Sequence, residues 1–265
     1  MLLLVMATLP AFAQTVKPLK KTLELKMPKT VDDAMAGTRG AGVAWHPVQK
    51  KYYAVFAGNM GYPLAVFDAT GKRLSAADQA AVVDTRGIWY NPAAKTISGN
   101  GYDETGWFNY NLNAKGLIAD VVVTIEGLNQ PDAQCVGAYN TAAKNVLFLK
   151  GSQVWSYKDG MVVDSMMIHW GRKKNEGVSD YEDAAVTPED YNNTSLIYTG
   201  SKGQELGFLN ITNKQVELYD IKTGFMTKTL GFPETAITES SFNFAYANGI
   251  YWLFDIEKRI WKGYK

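Results

Sequence analysis

The side chains that could do chemistry are few and scattered. His46 and His169 are the two histidines and Cys135 the one cysteine among 265 residues. A single cysteine excludes an internal disulfide and any zinc cluster built on thiolates. His46 takes a turn position that Asn91 and Asn140 take elsewhere, and Cys135 sits in an apolar, strand-like run, so both read as structural. His169 opens the basic stretch His169-Trp170-Gly171-Arg172-Lys173-Lys174, expected to be an exposed loop. Carboxylates offer more, at Asp103, Glu104, Asp132, Asp180, Glu182, Asp183 and Glu239. Glycoside cleavage needs two carboxyl groups facing one bond, and no spacing here selects a matched pair. Asp180-Tyr181-Glu182-Asp183 has oxygen ligands of the kind calcium takes, without a defined loop spacing. The GxSxG elbow, the P-loop, HExxH and the EF-hand loop are absent, and no cofactor or metal is expected.

A polar and aromatic phrase occurs twice, as Gly58-Asn59-Met60-Gly61-Tyr62 and Gly99-Asn100-Gly101-Tyr102. Glycine permits a tight excursion, and each phrase presents an amide beside a ring, a combination suited to a sugar or a peptide. The segments leading into the repeated units described below carry Arg39, Arg86, Gln134, Glu182 and Ser240. The candidate ligand-binding set is therefore Asn59, Tyr62, Arg86, Asn100, Tyr102 and Glu182, expected on one face of the molecule.

The elements that would position these residues are strands. Val43-Ala44-Trp45-His46-Pro47, Gly87-Ile88-Trp89-Tyr90-Asn91-Pro92 and Val136-Gly137-Ala138-Tyr139-Asn140-Thr141 each lead through a short turn into a second apolar run. Asn suits the first position of a type I turn and Pro presets the next φ. A fourth copy is read at Asp183 to Pro188, which makes Trp45, Tyr90, Tyr139 and Val186 equivalent. Third strands follow at 64–68, 107–111 and 154–158, and fourth strands at 118–125 and 161–168. The Ala-rich stretch 74–83 is read as a fourth strand or a short helix. Four short antiparallel strands recurring with a period of roughly 45–50 residues describe a propeller blade.

The expected fold is all-β, a five-bladed β-propeller in one domain over 14–265. The alternating segment Lys21 to Met27 belongs to no unit, and the last unit, ending at Arg259 to Tyr264, is one strand short. Leu23, Leu25 and Met27 are therefore expected to close the ring there and remove a free sheet edge. Between Ser195 and Leu230 more strand-like runs occur than one blade needs, which leaves six blades as the alternative.

Residues 1–13 read as a signal peptide, an apolar stretch ending in Ala11-Phe12-Ala13 with the small-x-small pattern of a cleavage site. A secreted or periplasmic location follows. Thirteen residues are too few for a membrane span. With net charge +1, there is no general pull toward nucleic acid. The run Val216-Glu217-Leu218-Tyr219-Asp220-Ile221-Lys222-Thr223-Gly224 resembles the third-strand signature of secreted bacterial propellers of the YVTN/quinoprotein-like type. That resemblance implies architecture and carries no catalytic motif. Five-bladed propellers also include glycoside hydrolases, which this chain resembles in blade count alone. The expected function is a non-catalytic binding module for a carbohydrate, peptide or protein partner at the mouth of the central channel. The alternative is a propeller hydrolase or lyase acting on a glycan through channel-mouth carboxylates.

Overall fold

The computed structural model describes residues 16–29, 38–174 and 187–265. The signal-peptide reading of residues 1–13, Glu182 and its acidic neighbours, and Val186 all lie outside the described residues.

The chain enters with β1 (Lys17–Pro18) and β2 (Lys21–Lys26). The first blade is β3 (Arg39–His46), β4 (Lys51–Ala57) and β5 (Leu64–Asp68); the second is β6 (Thr85–Asn91), β7 (Thr96–Gly101), β8 (Trp107–Leu112) and β9 (Ile118–Ile125). The third is β10 (Ala138–Asn140), β11 (Asn145–Lys150), β12 (Gln153–Lys158) and β13 (Met161–Met167). The fourth is β14 (Ile197–Tyr198), β15 (Leu206–Asn210), β16 (Gln215–Tyr219) and β17 (Met226–Gly231), and the fifth is β18 (Phe244–Ala247), β19 (Ile250–Asp255) and β20 (Ile260–Tyr264). The strands form five sheets, and the protein is a five-bladed β-propeller.

Each blade begins at the axis with a hairpin whose turn chemistry is visible in the hydrogen bonds. Asn91 Oδ1 accepts from the N–H groups of Ala93 and Ala94 at 3.0 and 3.2 Å, and Asn140 Oδ1 accepts from Ala142 and Ala143, both at 3.0 Å. His46 fills the same role with its ring. Nδ1 accepts from Gln49 N–H at 3.2 Å and Nε2 donates to Lys95 O at 3.0 Å, which fixes the neutral tautomer. The second strands, such as β4 and β11, are buried along nearly their whole length, whereas the outer β9 and β13 are mostly exposed.

The ring closes through the N-terminal segment. β2 pairs antiparallel with β20, with Leu25 opposite Trp261 and Leu23 opposite Gly263. Met27 N–H continues the ladder to Arg259 O at 3.0 Å. Leu25 is wholly buried and Met27 nearly so, in the core cluster of the first and last blades. β1 adds a fifth, parallel strand to the edge of the fourth blade.

Two expectations need correction. Among the described residues the fourth blade is headed by Ile197–Tyr198, while most of the 183–188 run lies outside them. Its innermost strand is β14, so the runs that looked surplus are simply its four strands, and six blades are excluded. The stretch 74–83 is neither helix nor strand. It lies along β5 through single contacts such as Leu74 N–H to Val66 O and Leu64 N–H to Gln79 O, which leaves the first blade with three strands.

Candidate functional site

The innermost strands surround a channel cavity of about 280 Å³. Its walls are small and apolar, with Ala41, Gly42, Ile88, Val136 and Leu196 among them. Toward the end where the hairpins turn, it is lined by five aromatic side chains: Trp45, Tyr90, Tyr139, Tyr198 and Tyr246. Each comes from a different blade; four sit one residue before their hairpin's final pair, and Tyr198 is in the final pair of its own. The registers show this directly: Trp45 opposite Tyr52, Tyr90 opposite Ile97, Tyr139 opposite Val146, Tyr198 opposite Leu206 and Tyr246 opposite Tyr251. All five are half-buried.

The collar is held from behind. Trp45 packs on Tyr52 at 4.5 Å, Tyr90 on His46 at 4.7 Å and Tyr246 on Tyr251 at 5.0 Å between centroids. Asn248 at the rim donates to the Tyr52 hydroxyl at 2.8 Å. Burial holds the hydroxyls of Tyr139, Tyr198 and Tyr246 above the usual phenol range, Glu205 adding to the effect at Tyr198. They are neutral hydroxyls at any physiological pH. The Tyr198 hydroxyl meets Thr141 and the Ala142 N–H of the neighbouring blade. Among the described residues no carboxylate, imidazole or thiol lines the cavity. No group of three or more His, Cys, Asp or Glu residues among them could hold a metal ion.

At the opposite end the channel is closed. Phe242 is buried in the cluster that holds Ala41, Ile88 and Val136 from the first three blades. Its N–H donates to Thr194 Oγ1 of the fourth blade at 2.7 Å, and the Arg86 guanidinium lies 5.9 Å from its ring. Phe242 and Asn243 hold this position with φ of 52° and 57°, values uncommon outside glycine.

The five described residues of the sequence-derived set, Asn59, Tyr62, Arg86, Asn100 and Tyr102, lie at this closed end. Arg86 is 5 % exposed; it pairs with Asp84 at 2.5 Å, bonds Gln134 Oε1 at 2.9 Å and lies 4.4 Å from the Tyr102 ring centroid. Asn100 is fully buried. It accepts from Gly137 N–H at 3.1 Å and donates to Cys135 O at 2.9 Å and Gln130 Oε1 at 2.6 Å. Asn59 is exposed and folds onto its own loop, accepting from Gly61 N–H at 2.7 Å. Tyr62 packs edge-on against Phe56, 6.5 Å away. Tyr62 and Tyr102 do share a face, since Gly58 and Tyr102 both donate backbone N–H groups to Asp84. None of these five residues lines the cavity.

The two Gly-Asn phrases are not equivalent. Asn100 lies within β7 opposite Gly87, the strand position that Val55 takes opposite Gly42, whereas Asn59 lies beyond β4 in the following loop. The described candidate carboxylates, Asp103, Glu104, Asp132 and Glu239, likewise do not line the cavity. Asp132 pairs with Lys150 at 2.5 Å and Glu239 stands 4.0 Å from Arg39. Trp170 is half-buried rather than on an open loop, packed between Tyr191 and Phe208 at 4.5 and 5.0 Å.

Tyr198 was missed because Val186 occupied its place in the repeat, and Tyr246 because the last unit was read from Phe244. A usable signal was present: an aromatic residue two positions before the turn residue in Trp45-His46-Pro47, Tyr90-Asn91-Pro92, Tyr139-Asn140-Thr141, Tyr198-Thr199-Gly200 and Tyr246-Ala247-Asn248.

The fold and its channel define the class, a five-bladed propeller with one blind, aromatic-rimmed channel. No protein-family model matches the chain, and no curated protein matches it. Among solved structures, a glutaminyl cyclase from Myxococcus xanthus is similar over 94% of this chain and 96% of that one, with TM-score 0.53 and 10% identity. A streptogramin B lyase matches over 87% of this chain and 64% of its own, with TM-score 0.39 and 12% identity. A chain of a nidogen/laminin complex matches over 72% and 80%, with TM-score 0.35 and 11% identity. The first likeness shows the fold alone; the other two are too distant to carry an argument.

Proposed function

We propose that this protein is a non-catalytic binding module that recognises its partner at the open mouth of the channel, on the face of the hairpin turns. The observation that carries this reading is the collar: five aromatic side chains, one from each blade, around a single apolar cavity. Ring faces supply flat apolar contact with little rotamer entropy to lose, while the tyrosine hydroxyls orient a polar ligand edge. A carbohydrate ring, a peptide side chain or a projecting group of a partner protein meets those requirements. Because every blade contributes, the site is preorganised by the whole ring rather than by a mobile loop.

The experiment is a glycan and peptide array with the purified protein, followed by calorimetry on the strongest hits. Tyr90→Ala combined with Tyr246→Ala is expected to lower affinity at least tenfold with the fold retained. Tyr62→Ala combined with Tyr102→Ala, on the opposite face, is expected to leave affinity unchanged. The reverse pattern would move the site to the closed end of the channel. The same reading places the protein outside the cytoplasm, in the periplasm or beyond. N-terminal sequencing of the exported protein is expected to begin at Gln14, and an intact leader in the cytosolic fraction would overturn the location.

A further inference from the structure

Five lysines stand around the aromatic mouth, one from each blade. Lys50, Lys95 and Lys144 end the hairpin turns of the first three blades, and Lys202 lies in the 199–205 connection of the fourth. In the fifth blade the turn is only Asn248 and Gly249, and there the ammonium of Lys265 comes 3.9 Å from where a Cβ on Gly249 would sit. All five side chains are exposed. Adjacent strands are about 4.8 Å apart, so turns joining first to second strands lie just outside the collar.

Their lack of partners sets these lysines apart. Lys50, Lys95 and Lys144 have φ of 52°, 53° and 56°, a turn conformation that Lys214 and Arg259 share at 49° and 57°. The same turn position on the opposite face also holds cations, but those are engaged: Lys214 pairs with Glu234 at 2.8 Å, and Arg259 donates to Pro28 O at 2.7 Å. Among the described residues none of the five turn-face lysines is in an ion pair. Of the acidic residues on this face, Asp68 and Asp220 accept backbone N–H groups of their own turns and Glu205 accepts from Gly203 and Ile221, while Asp159 lines a surface pocket together with Lys144. The mouth therefore combines an apolar pocket with a surround of exposed lysines, none of them in an ion pair among the described residues.

We infer that the ligand of this mouth is a small anionic amphiphile, an aryl or alkyl carboxylate whose apolar end enters the channel while its carboxylate rests among the lysines. The inference rests on the mouth being the binding site. The cavity of about 280 Å³ is roughly twice the ~150 Å³ apolar cavity that takes one benzene, which is room for a ring with a short chain. Phe242 closes the far end, so the charged group must stay at the rim. A lipid surface would meet the lysines yet leave the pocket unused, which is why a free small molecule is favoured.

The test compares 4-phenylbutyrate with 4-phenylbutan-1-ol by calorimetry and by the fluorescence of the protein's tryptophans, Trp45 being in the collar. The carboxylate is expected to bind at least tenfold more tightly at low salt. That advantage is expected to vanish near 1 M salt, where the screening length is about 3 Å. Lys50→Gln, Lys95→Gln and Lys144→Gln together are expected to weaken carboxylate binding at least tenfold and leave the alcohol unaffected. The Tyr90→Ala/Tyr246→Ala variant is expected to lose both. Equal affinity for the two compounds would overturn the anionic ligand while leaving the collar as a binding site. Binding of both that survives loss of the collar would overturn the mouth itself, and no binding of either compound overturns the inference. Flotation with phosphatidylglycerol vesicles, abolished by the triple lysine variant, would assign the charges to a lipid surface and overturn it as well.

Discussion

The carboxamide of Asn100 makes three hydrogen bonds that join the second blade to the segment leading into the third. Asn192 and Asn243 do the same at two other seams. Asn192 donates to Phe242 O and Glu239 O, both at 2.8 Å, and Asn243 accepts from Gly40 N–H at 2.6 Å. Removing one such group leaves buried partners unsatisfied, at about 1–3 kcal/mol for each. Asn100→Ala is expected to destabilise the protein by roughly 2–4 kcal/mol, read as a lowered urea midpoint at unchanged slope. At Cys135, burial pushes the thiol up to about 12, with Asp132 adding to the effect. Thiolate is the reactive form, so Ellman's reagent at pH 8 is expected to label Cys135 only after unfolding; stoichiometric labelling of the folded protein would contradict its burial.

Asp255 supplies a pH signature at the same scale. Burial alone would raise its pKa, but Lys262 at 2.7 Å and the Lys258 N–H at 3.0 Å hold it below the ordinary carboxylate range. A folded-state pKa below the unfolded value of about 3.9 contributes stability that is fully present above that value. The contribution is lost as pH falls through the folded pKa. Wild-type stability is therefore expected to drop between about pH 5 and pH 3. Asp255→Asn should be less stable at pH 7 and should show a shallower acid slope in urea titrations.

Among the elements, β2 has the largest structural consequence. It is the outer strand of the last blade, brought from the start of the chain, and it covers an edge that β20 would otherwise leave open. Leu25→Ala removes a fully buried side chain at a cost of about 2–5 kcal/mol. For a chain of this size that means a fall in Tm of roughly 5–20 °C. Deleting residues 14 to 28 is expected to lower Tm further, and an unchanged Tm would refute closure by this strand. The hairpins were legible because each turn is determined by adjacent residues. The fourth blade was misaligned because its innermost strand is only Ile197 and Tyr198. Two residues carry no periodicity, and the apolar run at 183–188 competed for the same place.

Over the whole molecule, each blade is buried against its neighbours, so no subset keeps both of its faces covered. In the fragment 38–174 the first blade loses the packing of Tyr52 on Trp252 and of Phe56 on Phe254, at 5.3 Å in each pair. That fragment is expected to show no cooperative unfolding transition, while the whole propeller, residues 14–265, unfolds in one, with tryptophan fluorescence and far-ultraviolet dichroism coincident. The sequence by itself determined the strand class, the repeated hairpin, the propeller and the closing strand, because these rest on contacts between residues near in sequence or on a repeat that can be counted. Only the tertiary structure decided which side chains meet. An asparagine beside a tyrosine reads the same whether its amide faces solvent or a neighbouring blade's backbone, and Asn100 faces the backbone. Conversely, five aromatic residues far apart in sequence become one collar only when closure brings every blade to the same axis.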